Sequence, residues 1–185
     1  MASTSQKKSL KKSSPTTTDI LRGYGLPESY IRAGKKGLRY RQPLEKGVYW
    51  YWLARYIRAR DAFKWGSCIS CGKPKSFEQL QAGHFMPAGS CGFALLFDER
   101  NLNGECERCN AWDDTHLLGY AENLDLRYGK DTARGLRVRY EMRNSHITRE
   151  WSRADYEVKI PLIKARYEVL AQKLNLSTTD DVQKE

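Results

Sequence analysis

Cys68 and Cys71 form one CxxC pair, and Cys106 and Cys109 form a second. Each CxxC lets two thiolates from one tight turn reach a single ion, and two such turns complete a tetrahedral four-sulfur shell. Gly72 follows the first pair, where a tight turn often needs a positive φ. The pairs are separated by the 34 residues 72–105, longer than a simple zinc ribbon requires. A structural zinc on Cys68, Cys71, Cys106 and Cys109 is therefore expected, replacing part of a hydrophobic core. The fifth cysteine, Cys91, has no partner in this pattern and reads as a small core residue. Disulfides are not expected. The first residues lack the apolar core of a secretory signal, and a reducing cytoplasm keeps thiols free.

Other groups of chemical interest are laced through the two pairs. His84 follows Gly83 between them, and Asn101 stands five residues before Cys106. Asn110, Asp113, Asp114 and His116 come directly after. A neutral imidazole accepts a proton near pH 7, and carboxylate, amide and imidazole groups can hold a hard divalent cation. Together they suit hydrolysis of a phosphodiester, which needs a base for the water and a cation for the phosphate charge. The plainer alternatives are a core or turn histidine at 84, a turn asparagine at 101, and acids at 113 and 114 that stabilise a helix N-terminus.

This order of residues resembles the HNH nuclease pattern, a ββα-metal or His-Me finger. More closely, YIRARD before CISCG, then QAGHF, DERNLNGECERCN and YAENLDLRYG resemble the NinG/Rap family of phage recombination nucleases. The similarity covers residues 48–175, most specifically 55–129. It implies an α+β fold with a ββα-metal core closed by zinc. It implies structure-directed cleavage of branched DNA, such as Holliday junctions and D-loops, leaving 5′-phosphate and 3′-hydroxyl ends. It assigns His84 as general base, with Asn101 orienting it or its loop. It also implies a single catalytic Mg²⁺ or Mn²⁺, distinct from the zinc. Here the sequence departs from the pattern. Many HNH enzymes carry Asp or His where Gly83 stands, and His where Asn110 stands. His116 is the expected replacement, with Asp113 or Asp114 assisting and Asn110 a further candidate. A non-catalytic zinc-dependent DNA-binding module with a degenerate centre is the alternative reading, and a zinc protein-interaction adaptor is a third.

The elements that must position these groups follow from periodicity and charge. Residues 1–66 hold 15 Lys/Arg against 4 Asp/Glu, while residues 67–185 hold 17 against 18, so all of the +10 excess lies before the first cysteine. A polyanionic partner, DNA, is expected. No run reaches the roughly 18 apolar residues of a membrane span, so no membrane partner is expected. The location expected is the cytoplasm, that of the bacterial host if the chain is phage-encoded.

Residues 1–18 read as a disordered basic arm carrying Lys7, Lys8, Lys11 and Lys12. Residues 19–66 read as a basic linker, with Lys35, Lys36, Arg39 and Arg41 suited to a phosphate backbone, followed by an arginine- and aromatic-rich helix over 45–65. Arg55 and Arg58 on that helix either meet phosphates or are solvated beside a packed apolar face. Residues 67–129 are the zinc-knuckle core. In it the apolar run Phe93–Phe97 is expected in a small hairpin or loop, and a helix is expected over 112–128, ended by Gly129. Residues 130–175 are helical, with one helix over 131–143 and another reaching Leu174 that kinks or restarts at Pro161. Residues 176–185 form a polar tail. Symmetric cutting of a four-way junction makes a homodimer a reasonable expectation.

Overall fold

The computed structural model describes residues 14–40, 43–113, 115–145 and 149–176. Lys7, Lys8, Lys11, Lys12, Arg41, Asp114 and His146 lie outside the described residues. The architecture is mixed α+β, mostly helical, around one antiparallel two-stranded sheet.

The central element is α3, Leu44–Lys64, starting directly after Pro43. The expected helix over 45–65 is thus present with nearly the same ends. It is not a one-sided amphipathic helix, since almost every residue from Leu44 to Ala59 is buried. Three layers enclose it. The first is α8, Arg153–Lys173, which turns Tyr156, Ile160, Ile163, Tyr167 and Ala171 inward and packs along its length. The second is the hairpin of β1, Leu80–His84, and β2, Leu102–Cys106. The third is a pair of short helices, α1, Thr17–Gly23, and α2, Glu28–Ala33. They are tied on by the Trp52 indole N–H donating to the Tyr24 carbonyl at 3.2 Å and by the Tyr30–Tyr51 ring pair at 4.7 Å.

α1 and α2 occupy residues read in the sequence as the end of a disordered arm and the start of a basic linker. A capping box between Thr16 and Asp19 starts α1, a motif that satisfies two orphan helix donors at once. Burial of Leu21, Leu26, Ile31 and Leu38 then anchors the segment despite its glycines and prolines. α8 continues through Pro161 as one helix, so of the kink or restart expected there the restart does not occur. Pro161 faces solvent. Its missing hydrogen bond and steric clash cost about 3 kcal/mol in a helix interior. Each large apolar side chain buried against α3 returns roughly 1.5–3 kcal/mol, so one helix wins over two.

The hairpin pairs Leu80 with Cys106, Ala82 with Gly104 and His84 with Leu102. The connection between its strands holds the apolar run, but not as a strand or loop. Phe93–Leu96 forms a one-turn helix, α4, begun at Gly92 with φ +73. Leu95 and Leu96 are buried, and Phe97 joins Tyr49 and Trp151 in an aromatic cluster at 5.1 and 5.6 Å. The run plugs the core beside α3 and α8, where strand pairing would leave it half exposed.

After β2 come α5, Glu107–Ala111, and α6, His116–Tyr128, in place of one helix from 112. They are parted by a turn in which Asp113 Oδ1 accepts from the Thr115 N–H at 3.0 Å and hydroxyl at 2.7 Å. Gly129, at φ +104, ends α6 as expected. α7, Thr132–Glu141, follows and packs on α6 and α4.

Candidate metal centre and catalytic site

The four knuckle sulfurs converge. The Sγ atoms of Cys68, Cys71, Cys106 and Cys109 lie within 4.8 Å of one another, and Cys71 and Cys106 are 4.0 Å apart. A tetrahedral ion with Zn–S bonds of about 2.3 Å needs sulfurs roughly 3.8 Å apart, so the residues present fit a structural zinc. Backbone geometry sets the shell. Gly72 adopts φ +68, and its N–H donates to the Cys68 carbonyl at 3.0 Å. The Cys106 N–H donates to Cys68 Sγ at 3.3 Å, and the Ile69 N–H to the Gly104 carbonyl at 2.9 Å, so the first knuckle rests on β2. Cys91 is buried in the main core, away from this shell.

α3 fixes the hairpin through a buried ion pair. Asp61 Oδ2 accepts from the Gly104 N–H at 2.6 Å, and Arg60 Nη2 donates to the Leu102 carbonyl at 2.9 Å. The Tyr120 hydroxyl donates to the Gly83 carbonyl at 3.0 Å. The end of β1, with His84, is thereby held from both sides.

His84 Nε2 lies 3.0 Å from the Leu96 carbonyl oxygen. A carbonyl only accepts, so Nε2 carries the proton and Nδ1 keeps its lone pair. The imidazole stacks on Trp50, with ring centroids 5.4 Å apart and planes 13° from parallel. Burial pushes the pKa of His84 down to about 4, helped by the Arg39 charge and opposed by the bond to Leu96. The ring is neutral at pH 7, with one basic nitrogen. Asn101 is fully buried. Its Oδ1 accepts from the Met86 N–H at 2.7 Å, and its Nδ2 donates to the Met86 and Leu95 carbonyls at 3.2 and 3.0 Å. It therefore clamps the connection that carries the Leu96 carbonyl, and reaches His84 through the backbone.

On the neighbouring position, Gly83, polar groups from three elements meet. Glu105 has no exposed surface. Its Oε1 accepts from the Ser70 hydroxyl and from His116 Nδ1 at 2.8 Å. Its Oε2 is buried with no hydrogen-bond partner. A Cβ at Gly83 would stand 1.9 Å from that oxygen and 3.0 Å from Asn110 Oδ1. The Asn110 amide is oriented by its Nδ2, which donates to Gln81 Oε1 at 2.7 Å. Burial raises the Glu105 pKa, against its bonds from Ser70 and His116. Of the expected cation ligands, Asn110 and His116 are thus brought to this cluster, the latter by way of Glu105. Asp113 is occupied in the turn before α6, and the same two bonds from Thr115 lower its pKa.

The family model described as the bacteriophage lambda NinG protein matches residues 31–174. The chain belongs to the NinG family. It is 28% identical over 137 residues to protein ninG of Escherichia phage 933W, covering 70% of this chain and 61% of that protein. It is 28% identical over 124 residues to protein ninG of Escherichia phage lambda, covering 60% and 56%. With protein ninG of Salmonella phage P22 the identity is 30% over 125 residues, covering 64% and 55%. The chain spans about three fifths of the length of the first of these relatives. No solved structure matches. Among the described residues, no helix is long and apolar enough to cross a membrane.

In this NinG family chain the basic side chains separate into two groups. Lys35 and Lys36, on a 3₁₀ turn, and Arg39 are exposed. Arg39 lies over the Trp50 ring at 5.0 Å, on the indole that also stacks on His84. Arg55 and Arg58 do not fit the phosphate-contacting role expected of them, being only 6% and 5% exposed. Arg55 packs over Tyr51 at 4.5 Å, and Arg58 over Phe77 at 4.2 Å while donating to the Phe77 carbonyl. Burial of this part of α3 keeps them from a phosphate backbone.

Sequence reasoning passed over Trp50, Gln81 and Glu105. A signal for Glu105 was present. Asn101, just before β2, and Asn103 and Glu105 within it place polar groups at period two, and all three are fully buried. A buried polar row of that kind must be satisfied by specific partners.

Proposed function

We propose that this NinG family protein is a metal-dependent endonuclease of the ββα-metal (HNH) type acting on branched DNA, including Holliday junctions and D-loops. The observation that carries the reading is the state of His84. It stands at the end of the first strand of a cysteine-closed hairpin, with Nε2 pinned to the Leu96 carbonyl and Nδ1 free to accept a proton. In that role Nδ1 takes a proton from water as its oxygen attacks the phosphorus, the P–O3′ bond breaks, and the leaving 3′-oxygen takes a proton from solvent, giving 5′-phosphate and 3′-hydroxyl ends. A divalent Mg²⁺ or Mn²⁺ would supply charge stabilisation at the phosphate. Asn101 holds the backbone that orients His84, and a zinc on the four cysteines holds the hairpin. Lys35, Lys36 and Arg39, with the lysines of the N-terminal arm, bind phosphates. A two-fold dimer would present two such centres to a four-way junction.

Gly83 and Asn110 favour one competing reading, a DNA-binding module without cleavage, since neither supplies the charged or imidazole ligand common at its position. Cleavage of a four-way junction beside linear duplex, with Mg²⁺ or Mn²⁺, decides between them. Wild type should cut the junction, and His84→Ala should bind it normally but cut at least ~10²-fold more slowly, the loss usual for a general base. Tight junction binding without cleavage under any of these conditions establishes the module.

A further inference from the structure

Glu105 presents a problem that hydrogen bonding within the chain does not solve. Its side chain is fully enclosed, one oxygen is satisfied twice, and the other has no partner. A buried carboxylate oxygen left bare is costly, because desolvation of a charged group is repaid only by a partner of opposite charge or a donor. Beside it stands Asn110 Oδ1, a second acceptor, turned inward because its amide nitrogen is committed to Gln81. Two acceptors converging on the Gly83 backbone call for a cation. They can approach residue 83 this closely only because it has no side chain, since a Cβ there would fall within 1.9 Å of Glu105 Oε2.

We infer that Glu105 Oε2 and Asn110 Oδ1 are the protein ligands of a divalent hard cation seated over Gly83. One carboxylate and one amide oxygen, with the remaining positions held by water and substrate phosphate, suit Mg²⁺ or Mn²⁺, which keep several waters and favour oxygen ligands. The soft four-thiolate shell selects a different metal, so the two sites do not compete. His116 and Ser70 are positioning residues, since both bond Glu105 Oε1 and leave Oε2 directed at Gly83. The strand-end carboxylate that Gly83 lacks is supplied from across the sheet. Gly83 and Glu105 lie on the same face, because Gln81 pairs with Glu105 and Gly83 with Asn103. This inference rests on the endonuclease reading for its purpose, but not for its test.

Mn²⁺ binding to the full-length, zinc-loaded protein is followed by electron paramagnetic resonance of the free ion, with zinc content measured on the same samples. Wild type should bind about one Mn²⁺ beyond its zinc. Glu105→Gln keeps the shape and the acceptor for Ser70 and His116, and should weaken Mn²⁺ binding at least tenfold with zinc unchanged. Asn110→Ala, at a solvent-exposed position of α5, should weaken it severalfold and guards against a Glu105 variant that fails to fold. Placing the carboxylate on the other strand, with Glu105→Ala and Gly83→Asp together, should restore binding that Glu105→Ala alone loses. Mn²⁺ affinity unchanged in both Glu105→Gln and Asn110→Ala overturns the inference, even if the protein cleaves DNA. Glu105-dependent Mn²⁺ binding in a protein that cuts no DNA upholds the site and overturns the proposed activity.

Discussion

The imidazole of His84 and the indole of Trp50 lie face to face, 5.4 Å between centroids and 13° from parallel. Trp50 is on α3 and His84 at the end of β1, so the contact fastens the hairpin to the central helix at the point where its chemistry is expected. It also buries the imidazole, and with the nearby Arg39 charge this holds His84 neutral down to about pH 4.

That depressed pKa makes a statement about stability. An unfolded histidine titrates near 6.5, so between pH 6.5 and about 4 the unfolded chain binds a proton at His84 that the folded chain refuses. Stability from the neutral ring is therefore fully present above pH 6.5 and lost as pH falls through that window, by up to ~1.4 kcal/mol per unit. The thermal midpoint of His84→Gln should fall less steeply than wild type from pH 6.5 to 4.5. Acid release of zinc affects both proteins alike, so equal slopes would show that His84 is not held neutral.

The cysteine cluster is expected to act locally. Knuckle residues form a small cluster of Cys68, Leu80, Cys106 and Cys109, while the large core gathers around α3 and α8. Structural zinc contributes folding energy directly to the segment it closes. Purified protein should carry about one zinc. Cys106→Ser should release it and expose the amides of residues 67–84 and 102–111 to rapid hydrogen exchange. Amides of α3 and α8 should remain protected. Global loss of protection would mean that the zinc holds the whole fold.

Much of this arrangement was legible before the structure. The two CxxC turns state their own geometry, because two thiolates three residues apart can share an ion whatever surrounds them. The aromatic and aliphatic spacing of 45–65 marked α3 to within one residue at each end. What stayed hidden depended on tertiary neighbours. Phe93–Phe97 has no periodicity long enough to choose between strand and helix, and its conformation is set by the pocket that it fills. Arg55 and Arg58 look solvated in sequence, because nothing local says that a helix is enclosed on all sides. Glu105 shows in sequence only as part of a polar row, and its unpartnered oxygen emerges only where β1 brings Gly83 diagonally across from it.

The two groups of basic residues should separate in one set of measurements. Removing one phosphate-binding cation reduces the salt slope of DNA binding by about one. Lys35→Ala with Lys36→Ala, and Arg39→Ala alone, should weaken junction binding and flatten its salt dependence with stability unchanged. Arg58→Ala should do the opposite. It removes a buried guanidinium bonded to the Phe77 carbonyl, which costs roughly 1–3 kcal/mol of stability, and should leave the salt slope alone. A flattened slope for Arg58→Ala in a fully folded protein would restore it to the DNA-binding surface.

Asn101 offers the most discriminating test of how the site is held. Its Nδ2 bonds the Leu95 carbonyl, and the next carbonyl along, that of Leu96, pins His84 Nε2. Asn101→Asp is nearly isosteric, but it replaces a donor by an acceptor facing the Leu95 and Met86 carbonyls. The clamp should open, releasing the Leu96 carbonyl from Nε2 and freeing the imidazole to rotate. Cleavage should fall roughly tenfold to ~10²-fold, the range in which a misplaced general base loses its advantage. Junction affinity should change little, since Asn101 is buried away from the exposed basic residues. His84 should then titrate closer to 6.5 as its surroundings admit water, moving the acid limb of the cleavage profile upward by ¹H–¹⁵N-detected titration and by rate. A variant that is slow but keeps the wild-type pH profile would mean that Asn101 acts on something other than His84.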